Sequence, residues 1–193
     1  MTLVVIMDPL GNVPVFLALT KTEERRRRRR TALNAVVAAT VIIYAFAFFG
    51  TEILDLLSIG LPALQAAGGI MLFLVAVEML RGDILVPDKA EGVNVAIVPL
   101  GTPMVAGPGA IAATMVFMTG EGGGALAERQ LTVALAIAAA LAVVYVVLRY
   151  SVFLENLLKD NGIHLITRVM GMLLTAISIE LVAQAVIEYV RTA

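Results

Sequence analysis

Long apolar blocks with no polar stripe constrain this chain more than any other feature. The stretch "TALNAVVAATVIIYAFAFFG", residues 31–50, holds no charged residue and no helical polar rhythm. A helix of a soluble bundle would carry such a rhythm on its solvent face. Charged residues make up only 15% of the chain and hydrophobic ones 60%, whereas soluble domains run near 25% and 45–50%. Runs of ~18 or more apolar residues fit the ~30 Å hydrocarbon layer that ~20 helical residues cross. The chain therefore reads as an all-α, multi-pass membrane protein.

Six spans are predicted, over residues 1–19, 31–51, 61–80, 93–118, 131–148 and 165–190, as one transmembrane domain covering 1–193. Short hydrophilic joins separate them. "KTEERRRRRR" is read as the loop between spans one and two. No basic region precedes the first apolar run as in a secretory signal, so span one is expected to stay in the mature protein. Twelve of the fourteen Lys and Arg residues fall on one side of this arrangement, seven of them at Lys21 and Arg25–Arg30. The positive-inside bias makes that side cytoplasmic and puts both termini on the other. The arginine run reads as a topogenic anchor near anionic headgroups, not as a nucleic-acid site.

Several chemistries are excluded. There is no cysteine, and the one histidine, His164, is placed in a loop, so thiol catalysis and Cys/His metal sites have no residues to build them. No GxxxxGK[ST] loop is present for nucleotide binding. An intramembrane enzyme would need a second carboxylate beside Asp8, and the spans offer no such pair. No enzyme activity, cofactor or resident metal is expected.

Span one is interrupted by "MDPLGNVPVF", residues 7–16, which carries Asp8, Pro9, Gly11, Asn12 and Pro14. Proline removes a backbone donor and clashes with the preceding turn, and glycine favours helix poorly. Span four is interrupted in the same way by "PLGTPMVAGPG", which carries Pro99, Gly101, Thr102, Pro103, Gly107, Pro108 and Gly109. The two "PLG" triplets lie 90 positions apart. A second match, "AGGIMLFLVAVEML" with "VMGMLLTAISIELV", lies at an offset of 102 and aligns Gly69 with Gly171 and Glu78 with Glu180. The order is the same in both halves. Three spans per half means opposite insertion, so the expected architecture is two inverted three-helix repeats, about 1–82 and 93–193, with helices 1 and 4 broken near the midplane.

Broken backbone in lipid leaves N–H and C=O groups unpaired, and it survives only inside protein or against a wet cavity. Paired breaks in corresponding places point to a midplane binding site. Half-helix N-termini suit a carboxylate, and free carbonyls suit an ammonium group or a cation. Simple proline kinking is the bland alternative. Asn12 and Thr102, each following a "PLG" triplet, could bond freed backbone or ligand. Asp8 reads equally as a cation partner and as a helix N-cap. Glu180, with Gln184 one turn on, and Glu78 are candidate proton or cation sites, although Glu78 could simply pair with Arg81. Arg168 reads as topogenic. Gly68, Gly69 and the stripe Gly171, Thr175, Ser178 read as helix-packing positions.

"DPLGNVPVFLALT", "AAGGIMLFLVAVEML" and "PLGTPMVAGPGAI" resemble the MarC family of six-span prokaryotic inner-membrane proteins, which includes small neutral amino acid transporters. The resemblance runs along essentially the whole chain. It implies a secondary carrier with spans one and four broken around a central site, moving zwitterionic amino acids of the glycine, alanine, serine and threonine class with H⁺ or Na⁺ by alternating access. A non-transporting scaffold or channel-like protein is the competing reading, the family's antibiotic-resistance label being nominal. Only seven residues precede Asp8, about 10 Å of helix at ~1.5 Å per residue. That is fewer than the resemblance implies for a half-span, and it points to a start upstream of Met1.

Overall fold

The computed structural model describes residues 1–21, 23–82, 105–119 and 126–192, and all regular structure among them is helical. Seven helices follow in order: α1 Thr2–Met7, α2 Asn12–Leu19, α3 Arg25–Leu56, α4 Leu61–Arg81, α5 Pro108–Thr119, α6 Leu126–Arg149 and α7 Ser151–Thr192. The expected first half of span four, with Pro99, Gly101, Thr102 and Pro103, lies outside the described residues. Among the described residues, five segments are long and apolar enough to cross a bilayer: Thr2–Leu19 taken across its break, Arg25–Leu56, Leu61–Arg81, Ala127–Arg149 and Gly162–Arg191. Pro108–Thr119 is a shorter apolar helix.

Burial sorts these helices into a centre and a sheath. In the first segment 67% is buried, against 28–33% in the other four. α5 is also central, with Gly109, Ala110, Ala112, Ala113, Thr114, Met115 and Met118 all buried. The helices that break are thus those most enclosed by protein, where freed backbone groups are tolerated. α3, α4, α6 and α7 surround them and turn Val41, Phe49, Leu74, Leu135 and Met172 outward, as a hydrocarbon solvent requires.

Hydroxyl groups in this setting fold back on their own helices. Thr20, Thr40, Thr114, Thr119 and Thr175 each donate to the carbonyl four residues earlier, at 2.7–2.9 Å. The nearest carbonyl satisfies the group where no water competes. Tyr44 Oη reaches further, donating to Ala134 O at 2.7 Å and tying α3 to α6.

α4 packs most extensively on α7, and small residues set their approach. A methyl group added at Gly69 would lie 3.0 Å from Ser178 O, and one at Gly171 would lie 3.0 Å from Ala76 O. Contacts of 69 with 178 and of 171 with 76 run in opposite senses, so α4 and α7 are antiparallel. Further contacts join α4 to α5, α3 to α5 and α6, α1 to α5, α6 and α7, α2 to α6 and α7, and α6 to α5 and α7.

Three expectations change here. The arginine run is not a loop: Arg25–Arg30 form the opening turns of α3 after an extended Glu24, consistent with the good helix propensity of arginine. At 32 residues, or ~48 Å at ~1.5 Å per residue, α3 is long enough to carry these charges beyond the hydrocarbon. His164 likewise lies in a helix, exposed on α7. The stretch between spans five and six is helical from Ser151 onward, with a kink at Lys159 (φ 52°, ψ 177°).

One arginine of the run has a defined structural task. Arg28 Nη2 donates to Thr20 O at 2.9 Å, closing the end of α2, while Arg27 pairs with Glu23 and Thr31 Oγ1 donates to Glu23. Arg28→Ala is expected to destabilise the α2–α3 corner by roughly 1 kcal/mol, as charge-assisted hydrogen bonds near a surface do. Arg25→Ala and Arg29→Ala should leave the melting temperature in detergent unchanged. Equal effects at all three positions would refute a specific role for Arg28.

Candidate functional site

The break in span one is a closed turn. Asp8 ends α1 in the left-handed region (φ 40°, ψ 70°), which Asp and Asn enter more readily than most residues. Its Oδ1 accepts the Gly11 N–H at 3.0 Å, and its carbonyl accepts the Asn12 N–H at 3.2 Å. Asn12 works in the other direction: its Nδ2 donates to Met7 O at 2.8 Å. Thus one side chain satisfies a donor at the start of α2, and the other an acceptor at the end of α1. Asp8 and Asn12 are 6% and 4% exposed, so the bonds are made away from solvent.

Gly11 is required by this turn. A methyl group on it would overlap Asp8 Oδ2 and Met79 Cε. Met79, near the end of α4, is therefore a wall of the break. Pro9 is buried, and Pro14 is half-buried in the first turn of α2. The two alternatives for Asp8 are in this way partly resolved: one carboxylate oxygen serves the turn as a backbone acceptor.

The described part of the second break lies against α4 at another height. Val105 and Ala106 are fully packed, Gly107 O accepts the Ile111 N–H at 3.0 Å, and α5 begins at Pro108. A methyl group at Gly68 would lie 2.8 Å from Pro108 O, and one at Gly109 would lie 3.4 Å from Gly68 O and Leu72 Cβ. Gly68 and Met79 are eleven residues apart, ~16 Å along α4 at ~1.5 Å per residue. The structure brings Asp8, Gly11 and Asn12 into one turn and Pro108 and Gly109 onto one face of α4, with Gly107 just ahead of them. Among the described residues no hydrogen bond joins the two groups.

The three candidate coupling carboxylates separate. Asp8 is enclosed. Glu78 is half-buried beside Met79, and no ion pair links it to Arg81 among the described residues. Glu180 faces outward, its Oε1 accepting Gln184 Nε2 at 2.8 Å; it does not point into the bundle. In the stripe behind it, Thr175 donates to Gly171 O and Ser178 Oγ to Thr175 O, which matches a packing role. No group of three or more potential metal ligands occurs among the described residues.

Two features escaped the sequence reading. Gln65 on α4 is 2% exposed, and its Oε1 has no hydrogen-bond partner among the described residues. A single amide in an apolar span was the available signal, since intramembrane polar groups are functional candidates by default. The other is a small apolar cleft between the first break and the start of α7, lined by Leu10, Val13, Leu154, Leu158, Ile163 and Ile166.

Comparison with known proteins agrees with this anatomy. The family model described as "MarC family integral membrane protein" matches residues 1–190. The chain is 34% identical over 188 residues to the UPF0056 membrane protein MJ1677 of Methanocaldococcus jannaschii, covering 94% of this chain and 90% of that one. It is 31% identical over 190 residues to the UPF0056 membrane protein YvbG of Bacillus subtilis (94% and 89% covered). It is 30% identical over 196 residues to the UPF0056 membrane protein YhcE of Escherichia coli (94% and 86% covered). No solved structure matches it. With its broken, enclosed first span and its apolar sheath, the chain belongs to the MarC family of integral membrane proteins.

Proposed function

We propose that this protein is a secondary transporter of small neutral amino acids of the glycine and alanine class, coupled to an H⁺ or Na⁺ gradient, in a prokaryotic inner membrane. One observation carries the reading: the span holding a polar, unwound turn is the most deeply buried of the spans. A scaffold has no use for Asp8 and Asn12 at that depth, whereas a carrier needs polar backbone where lipid cannot reach. Asp8 Oδ2 and the half-helix ends would take the ammonium group or coupling cation. Asn12 belongs to that end, Gly107, Pro108 and Gly109 with Pro99, Gly101, Thr102 and Pro103 would line the second break ~16 Å further along α4, and Glu78 is the second coupling candidate.

Two inverted repeats are part of the proposal, with both termini outside the cytoplasm. The pattern of packing supports them. α4 meets α7 and α3 meets α6, each element against its counterpart. With α5 after the second break corresponding to α2 after the first, the contact of α3 with α5 has its mirror in that of α6 with α2, and α4 with α5 in α7 with α2. Gly69 meets the carbonyl of Ser178, and Gly171 that of Ala76; each carbonyl lies seven residues after the other helix's glycine.

A scaffold or channel-like role has one observation in its favour: Asp8 and Asn12 each bond their own backbone. The test separates the two. In proteoliposomes, alanine or glycine uptake should saturate and collapse when the ion gradient is dissipated. Asp8→Asn keeps the acceptor for Gly11 and the left-handed backbone but removes the charge. It is expected to fold normally and to lose gradient-driven uptake at least ~10-fold, the scale of one lost ionic contact of ~1.4 kcal/mol. Undiminished coupled uptake in Asp8→Asn would confine Asp8 to its structural task; no uptake in the native protein would leave the scaffold.

A further inference from the structure

A carboxyl group at the middle of a membrane helix is among the side chains least tolerated against lipid. Glu180 occupies that place. The span runs Gly162–Arg191, Glu180 is exposed near its middle, and Gln184 is exposed one turn on. The hydrogen bond between them leaves the second carboxyl oxygen, one amide N–H and the amide oxygen still facing outward. The nearest arginines on α7, Arg191 and Arg168, are eleven and twelve residues away, ~16–18 Å at ~1.5 Å per residue, so neither neutralises the charge along the helix. The face is otherwise apolar. Val169, Met172, Ala176, Ala183 and Ile187 share it with Glu180 at three- and four-residue steps, and all are exposed. The alanines flank the glutamate, where a neighbouring helix could approach closely.

We propose that this face of α7 is the interface between two copies of the chain in the bilayer, with Glu180 and Gln184 of each copy bonded to those of the other. The chemistry selects a second copy as the occupant. Both copies enter the membrane in the same sense, so a two-fold axis along the membrane normal sets the two α7 helices parallel and the same residues at the same depth. A carboxyl group and a carboxamide one turn apart are self-complementary under that operation: the amide N–H of one copy donates to the carboxyl oxygen of the other, and reciprocally. The three-four spacing is the seam of a left-handed helix pair. The proposal does not depend on what the protein carries.

The cysteine-free sequence makes the test direct. Ala183→Cys and Ala176→Cys, each in the full chain in native membranes, are treated with a mild oxidant and compared with Val143→Cys on the exposed face of α6. A disulfide-linked product at twice the 20.4 kDa chain mass is expected at both alanine sites and not at Val143. Adding Glu180→Leu and Gln184→Leu together to Ala183→Cys should lower its yield by roughly tenfold (about 1.4 kcal/mol), while Glu180→Gln should preserve it. Absence of the dimer at both alanines, equal yield at Val143, a disulfide to a different protein, or an unchanged yield in the double leucine variant would each overturn the proposal. All readouts are independent of transport.

Discussion

Gly11→Ala is expected to be the most damaging single methyl group that can be added to this protein. The new carbon would overlap Asp8 Oδ2 and press on Met79 Cε. Met79 can swing aside, since its thioether end is flexible. The carboxylate cannot, because its other oxygen holds the Gly11 N–H at 3.0 Å and the residue is fixed in a left-handed turn. The chain must either overpack the turn, at ~1–3 kcal/mol, or give up a charge-assisted hydrogen bond, at ~1.5–3 kcal/mol. A loss of roughly 3 kcal/mol should appear as a lower melting temperature and reduced yield of folded protein in detergent. Asp8→Gly supplies the control. Glycine accepts the left-handed backbone and removes the colliding group, so Asp8→Gly with Gly11→Ala should be more stable than Gly11→Ala alone. The coupling would be the sign of two residues sharing one turn. A fully stable Gly11→Ala, or one that Asp8→Gly fails to rescue, would show the turn to be built otherwise.

The same turn marks how far the residues themselves could be read. Pro9, Gly11 and Pro14 located the break because backbone chemistry is local: a missing donor and a missing Cβ act wherever they stand. The division of labour inside it was not legible, since "DPLGN" allows Asp8 to cap or to bind, and only its distance to the Gly11 N–H decides. The outward placement of Glu180 was legible in principle. It lies two residues after Ser178, ~200° round a helix of ~3.6 residues per turn, and Ser178 is fully buried against α4. Its reading as a proton or cation site rests on chemical expectation for a mid-span glutamate alone. The arginine run was misassigned because charge was taken to mean loop, although arginine is a good helix former and Glu24 stands extended ahead of it. Gln65 passed unremarked, since its weight comes from burial that only packing reveals.

Gly69→Val and Gly171→Val should each be strongly destabilising, and by similar amounts. At both sites a Cβ would meet the partner helix at 3.0 Å from a carbonyl oxygen, Ser178 O for one and Ala76 O for the other. Gly69 is the tighter, with Val182 Cγ2 at 2.7 Å on a stiff β-branched side chain. Alanine at either place gains up to ~1 kcal/mol of helix propensity, which offsets much of the ~1–3 kcal/mol that overpacking costs, so alanine is a weak probe. Valine adds two more methyl groups and loses most of that propensity gain, and α4 and α7 must move apart. Losses of at least about 2 kcal/mol each are expected from reversible unfolding in mixed detergent. The double variant should cost less than the sum, because the first valine already separates the helices that the second would separate. The glycines are seven residues from each other's contact on both helices, so a two-fold relation between α4 and α7 demands near-equal single costs. A severe effect at Gly69 beside a silent one at Gly171 would contradict that relation, and with it the proposed inverted halves and the alternating access proposed on them.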